Sequence, residues 1–281
     1  MKKAILVATI GAMTLGVNAG DWGKAPVGKA PIEECIDLGG TIAVGYMSDY
    51  IFYGERFAES SVWGSVAYTF DGLAVPITIG AWYLNGIDPG AGAAPGLGAA
   101  YDELDLYASA KLGTFAGFDV SLVYTNYSFP ENGSVSQNEF GIDITRSLGF
   151  VDLALEANYN TNPLENPGVG IEGGWYYQAG LSKTLGITDN INLVLGGGVG
   201  YSDNYFFPLG GGPSDNSGWN HWYLSASLPI QLNCRTTLTP YVGYNGGGNG
   251  WIINNNPALS STGNLSGEDI LHGGVSLSVT F

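Results

Sequence analysis

Apolar and polar residues alternate with a period of two along most of the chain after residue 40, and this pattern predicts β-strands. In the segment 103–112, leucines and alanines occupy every second position, while Glu103, Asp105 and Lys111 fall between them. The segments 139–145 and 151–160 repeat the alternation. Several runs reach about ten residues, the length that a tilted strand needs to cross a bilayer. We therefore predict membrane-spanning strands with an apolar outer face and a polar inner face.

The turn signals between these runs predict how many strands there are and how they are connected. We expect twelve strands, and counts of ten or fourteen also fit the pattern. Strands should begin near residues 41, 61, 75, 102, 118, 138, 151, 174, 190, 220, 237 and 270. Tight turns are expected at 71–73, 114–117, 148–150, 187–190 and 233–236, and longer links around 56–60, 86–101, 130–137, 162–173, 203–219 and 247–268. Alternating short and long connections are typical of an all-β, antiparallel, up-and-down transmembrane barrel.

The last strand carries a second indication of a barrel. Val275, Leu277, Val279 and the terminal Phe281 share one face, and serines and a threonine share the other. An apolar outer face that ends in an aromatic residue is similar to the signal read by the barrel insertion machinery of the outer membrane. We expect that machinery and outer-membrane lipid as partners. Aromatic residues that the alternation assigns to the outer face should form girdles at the headgroups: Tyr46, Tyr50, Phe52, Tyr68, Phe70, Tyr124, Tyr159, Trp175, Tyr177, Tyr201, Trp222 and Tyr244.

The N-terminus predicts export from the cytoplasm. Lys2 and Lys3 precede an apolar run, and small residues at 17–19 suit cleavage after Ala19. We therefore divide the chain into a signal peptide (1–19), a Gly- and Pro-rich periplasmic leader (20–39) and an outer-membrane barrel (40–281). An even number of strands would place both ends of the barrel in the periplasm.

The charge of the chain narrows its partners. Its 25 acidic and 9 basic residues give a formal net charge of −16, and two of the lysines lie in the signal peptide. Nucleic acid is excluded as a partner, since phosphate binding requires clustered Lys and Arg. This excess of negative charge suits a protein that handles cations or neutral solutes.

Charged residues on the inner face are the main candidates for chemistry. A water-filled lumen with these side chains would favour small cations and neutral solutes, which would diffuse passively through a porin-like channel. The alternative is a non-conducting barrel that fills its interior and presents extracellular loops to a partner. The candidate pore-lining residues are Asp49, Asp71, Glu103, Asp105, Lys111, Glu139, Asp143, Asp152 and Glu156.

Five short motifs carry a family resemblance. YMSDYIFYG at 46–54 is similar to the SDYxFRG opening strand of the Gcw-chp family of bacterial outer-membrane proteins of unassigned function. GLAVPITIGAWYLNG, ELDLYASAKLG, SLVYTNYSFPENG and NEFGIDITRSLG follow in order, so that the similarity covers about residues 40–150. Tyr53 stands where the family usually carries Arg. The resemblance implies an outer-membrane barrel and supplies no activity.

The remaining reactive residues do not predict an enzyme. His221 and His272 are the two histidines, and neither belongs to a recognisable nucleophile or metal motif. We expect no cofactor. Cys35 and Cys234 would both lie near the periplasmic rim, because barrel closure brings the last strand beside the first. In an exported protein such a pair predicts a disulfide that tethers the leader.

Overall fold

The computed structural model describes residues 38–87, 101–130, 136–161, 173–205, 217–248, 251 and 269–281. The strands are β1 (Gly40–Phe52), β2 (Glu55–Phe70), β3 (Ile77–Gly86), β4 (Asp102–Phe115), β5 (Phe118–Ser128), β6 (Ser136–Ser147), β7 (Asp152–Asn160), β8 (Gly174–Thr188), β9 (Ile191–Asp203), β10 (Ser217–Ser227), β11 (Ile230–Gln231), β12 (Thr236–Gly246) and β13 (Ile270–Thr280). In this part of the chain, no helix is long and apolar enough to cross a membrane.

Each strand pairs antiparallel with its neighbours, and β13 pairs with both β12 and β1, so that the sheet closes on itself. The two-residue β11 follows β10 after Leu228 and Pro229, and both strands pair with β9 and β12. β10 and β11 therefore form one span. The span is interrupted at Pro229, which has no N–H to donate to the ladder. The fold is therefore a closed antiparallel barrel of twelve spans, as predicted.

The two ends of the barrel differ. At one end, the turn end, short connections join β2 to β3, β4 to β5, β6 to β7, β8 to β9 and β11 to β12. Gly40 and Phe281 also meet there, through reciprocal backbone hydrogen bonds of 3.0 and 2.9 Å. The opposite end, the loop end, carries the longer connections. The short turns lie where they were predicted. Most residues of the predicted long links (88–100, 131–135, 162–172, 206–216, 249–250 and 252–268) lie outside the described residues. One link is an exception to the prediction.

That exception is the connection between β1 and β2. A long link around 56–60 was expected, but β2 begins at Glu55 and only Tyr53 and Gly54 separate the two strands. Their φ angles are 46° and 84°. Positive φ at both central residues is the geometry of a two-residue type I′ hairpin turn, and Gly adopts it at the second position without a steric cost.

The outer surface of the barrel is apolar. Its exposed side chains come from alternate positions of the strands, as in Ile42, Val44 and Tyr46 of β1. Tyr68, Phe70, Tyr124, Trp175 and Tyr177 are also exposed, as the girdle prediction requires. The prediction was wrong for Tyr50, which is fully buried, and for Phe52, which packs against buried residues inside the barrel.

Candidate functional site

The β1–β2 hairpin leaves the barrel wall and folds into the lumen. The pairing register of β1 and β2 shifts between Tyr50 and Ile51, and such a bulge bends a strand and increases its twist. Beyond the bulge, the segment 50–58 forms the hairpin tip. In a ring of twelve spans, β7 and β8 lie opposite β1 and β2, so contacts between the tip and β6–β10 span the interior.

Tyr53 makes most of these contacts with the opposite wall. Its hydroxyl donates to Glu139 of β6, at 3.2 and 3.3 Å to the two carboxylate oxygens, and accepts from Asn158 Nδ2 of β7. Its ring stacks on Tyr176 of β8, with centroids 3.8 Å apart. Asn220 Nδ2 of β10 donates to the Tyr53 carbonyl oxygen. Four strands of the far wall therefore hold this one residue.

Gly54 packs directly against the imidazole of His221. A Cβ atom at Gly54 would lie 2.3 Å from Cγ and 2.5 Å from Nδ1 of that ring, closer than real Cβ contacts come. His221 is buried, and its ring is parallel to that of Tyr176. Only glycine fits between the tip of the hairpin and the far wall.

Aromatic side chains fill the space between the hairpin and the near wall. Tyr50 is fully buried, with ring centroids 5.5 Å from Trp82, 5.8 Å from Tyr101 and 6.2 Å from Phe57. Phe52 and Phe57 also contact the second buried cluster, formed by Tyr176 and Tyr205. Together these rings and the hairpin tip form what we call the hairpin constriction.

Three buried carboxylates lie within the hairpin constriction. Glu103 accepts hydrogen bonds from Tyr50, at 2.9 Å, and from Tyr101. Glu139 accepts from Tyr53, from Tyr205 and, at 3.0 Å, from Tyr127. Asp105 is fully buried, and in the part of the chain that the structure describes no hydrogen-bond donor reaches either of its oxygens.

The other predicted pore-lining residues lie elsewhere. Asp49 pairs with Arg56 at 3.3 Å in the stem of the hairpin. Asp143 and Glu156 are direct cross-strand partners nearer the turn end, and both are half-buried. The remaining three lie at the turn end: Asp152 begins β7, Lys111 is exposed 4.0 Å from Asp119, and Asp71 is in the exposed turn after β2. The structure therefore gathers three of the nine candidates into one cluster.

The lumen nearer the turn end is lined differently. Small hydroxyl side chains occupy its inner face, including Thr239, Ser276 and Ser278. Its large rings lie over glycines of the adjacent strand, as with Tyr107, whose ring leaves no room for a Cβ at Gly80. A ring that covers a glycine of the adjacent strand lies along the wall. The same arrangement joins Tyr223 to Gly198 and Tyr241 to Gly274.

The structure describes both histidines and one of the two cysteines. His272 lies 3.1 Å from Asn245, and His221 packs on the hairpin tip. Among the described residues, no three His, Cys, Asp or Glu side chains converge as a metal site. Cys234 lies in the turn before β12, as predicted, but Cys35 is outside the described residues, so the disulfide stays a prediction.

The tyrosines that bind the carboxylates and the inward fold of the hairpin were not predicted from the sequence. One signal was present in the chain. Residues 50–53 are four consecutive apolar or aromatic residues, and Phe57 follows closely. A strand with one polar face should not carry rings on both faces, so the run indicates a segment that is buried on all sides.

Comparisons with known proteins identify the kind of barrel. No protein-family model matches the chain, and no curated protein matches it. Among solved structures, an outer-membrane channel from Pseudomonas putida F1 is 12% identical and covers 91% of this chain and 100% of its own, with a TM-score of 0.54. The KdgM porin (7% identical, covering 86% and 99%, TM-score 0.49) and the NanC porin (8%, covering 86% and 100%, TM-score 0.48) are also similar. The chain therefore has the fold of outer-membrane β-barrels.

Proposed function

We propose that the protein is a passive outer-membrane channel for small cations and neutral solutes, and that the hairpin constriction is its narrowest point. The observation that carries the proposal is the inward fold of the β1–β2 hairpin, which divides the interior into two regions. The region near the loop end is packed with aromatic and carboxylate side chains. The region toward the turn end is lined by small hydroxyl groups, which suits a water-filled passage.

The preference for cations follows from the charges inside the barrel. Residues 40–281 contain five Lys and Arg residues. Arg56 pairs with Asp49 and Glu59, Lys111 is at the turn end, and the guanidinium of Arg146 lies 4.7 Å from the centre of the Phe118 ring. Lys183 shares the outward side of β8 with Leu181, and Arg235 lies in an exposed turn. Anions would therefore meet an acidic constriction whose basic side chain, Arg56, is already paired with carboxylates.

Under this proposal, the loop end faces the cell exterior, and the turn end with both ends of the barrel faces the periplasm. The outer-membrane location and the role of Val275, Leu277, Val279 and Phe281 in insertion belong to the same proposal. These last residues share the outer face of β13. The channel carries out no chemical reaction, so transport requires no catalytic residue.

Single-channel recording of Gly54→Ala tests the proposal. The added methyl group overlaps the His221 ring, and the positive φ at this position strains any residue except glycine. The hairpin tip should therefore leave the far wall, and conductance in a planar bilayer should rise above that of the wild type. Gly72→Ala is the matched control, because a Cβ there meets nothing within 4 Å.

A second candidate function is a closed barrel that presents its loops to a partner. The dense packing of the hairpin against the far wall favours it. Silent bilayers for both the wild type and Gly54→Ala, with insertion verified, would contradict the channel and favour this alternative. Cation-selective steps that grow in Gly54→Ala would support the channel.

A further inference from the structure

The two carboxylates Glu103 and Asp105 lie side by side without a cationic partner. They occupy successive inward positions of β4, so their side chains are neighbours on the same face of the strand. Tyr127, which lies opposite Asp105 in the strand register, donates to Glu139. Both residues of the β4 pair are buried, and Asp105 is 0% exposed.

Hydroxyl donors satisfy Glu103 but not Asp105. Tyr50 and Tyr101 each donate to one oxygen of Glu103. Among the described residues, no donor reaches Asp105. In the strand register, Asp105 lies opposite Trp82 on one side and Tyr127 on the other, so its immediate strand neighbours supply aromatic rings and no positive charge.

Burying several carboxylates together is costly unless a positive charge accompanies them. The barrel cannot supply that charge from its own Lys and Arg residues, since the five in residues 40–281 lie elsewhere or are paired. The compensating charge has to come from solution. A proton shared between Glu103 and Asp105 would leave one negative charge on the pair, whereas a divalent metal cation between them would balance both charges.

We propose that Glu103 and Asp105 together bind a hard, oxygen-preferring metal cation inside the hairpin constriction. Carboxylate oxygens are the ligands that cations of the Ca²⁺ and Mg²⁺ class prefer, and Mg²⁺ is often held by one or two carboxylates. Two ligands from the protein suit a cation that exchanges with solution.

Terbium(III) luminescence tests this site in the full-length refolded barrel. Tb³⁺ is a hard cation that prefers oxygen ligands and emits when a neighbouring aromatic side chain is excited, and Trp82 is adjacent to Asp105 in the register. We expect saturable, sensitised emission that Ca²⁺ competes away. Asp105→Asn should weaken Tb³⁺ binding at least tenfold, while Asp143→Asn, which removes a carboxylate lower in the barrel, should leave the sensitised signal intact.

Two results would overturn the proposal. The first is an equal Tb³⁺ signal from Asp105→Asn and the wild type. The second is an absence of sensitised emission together with a carboxylic-acid C=O band in the infrared spectrum that disappears in Asp105→Asn, which would show a shared proton. Tb³⁺ binding is measured at equilibrium and does not depend on conductance. The metal-site proposal can therefore fail while the channel proposal stands, and the reverse.

Discussion

The two halves of the lumen use tyrosine in opposite ways. Near the loop end, Tyr50, Tyr53, Tyr127 and Tyr205 point into the interior and donate to carboxylates. Toward the turn end, Tyr107, Tyr223 and Tyr241 lie over glycines of the adjacent strand. The first arrangement places the ring in the interior of the barrel, and the second places it along the wall.

Burial follows the same division. Of the twelve largest side chains that are fully buried, all except Val194 lie in the half of the barrel nearer the loop end. Such complete burial is typical of a packed protein core and not of a water-filled pore. The barrel thus combines a core-like region near the loop end with a region toward the turn end whose side chains are less completely buried.

We expect the largest effect on the free energy of unfolding. Replacing a tyrosine by alanine should destabilise the barrel more near the loop end than toward the turn end. Tyr50→Ala removes a fully buried ring and a hydrogen bond to Glu103, so it should lower the free energy of unfolding by about 4 kcal/mol. Tyr241→Ala, which removes a half-buried ring, should cost about 1 kcal/mol. Denaturant unfolding in lipid vesicles measures both. Equal losses would mean that the two halves are packed alike.

The smaller expected effect is on ion selectivity. Asp143→Asn with Glu156→Gln removes two neighbouring half-buried carboxylates toward the turn end. Water and salt should screen these charges more than the buried ones, so the double variant should shift the reversal potential in a salt gradient less than Asp105→Asn does. The measurement is a planar-bilayer recording of each variant. A larger shift in the double variant would move the selectivity filter out of the hairpin constriction.

Much of the fold was predictable because a barrel wall has two faces with different surroundings. One face of each strand meets lipid and the other meets the lumen, so apolar and polar residues alternate, as in 103–112. The tight turns between such runs indicate the number of strands. Strand β13 is the clearest case, since its predicted outer residues Val275, Leu277 and Val279 are the exposed ones. No long-range contact is needed to predict such features.

The hairpin constriction was not predictable in the same way. Extending the alternation of Ile42, Val44 and Tyr46 placed Tyr50 on the outer face, but the bulge after Tyr50 and the inward fold of the tip reverse that position. The contacts that hold the tip join Tyr53 to residues 86 or more positions away. The sequence could identify Glu103, Asp105 and Glu139 as inward carboxylates, but not that tyrosines of the hairpin would bury them.

A disulfide across the lumen shows directly whether the hairpin folds into the barrel. In a background with Cys35→Ser and Cys234→Ser, the chain carries Gly54→Cys and His221→Cys. An ideal Cβ at Gly54 lies 2.6 Å from the Cβ of His221, and disulfides join Cβ atoms about 3.5–4.5 Å apart, so a small adjustment suffices. Gly72→Cys with His221→Cys is the control pair, at a turn where a Cβ has no neighbours.

If the hairpin folds across the lumen, the first pair should form a bridge in the membrane-inserted protein and the control pair should not. The bridge should hold conductance low, and a reductant should raise it. Two freely reactive thiols at positions 54 and 221, with no bridge under oxidising conditions, would contradict the account and place the hairpin outside the barrel.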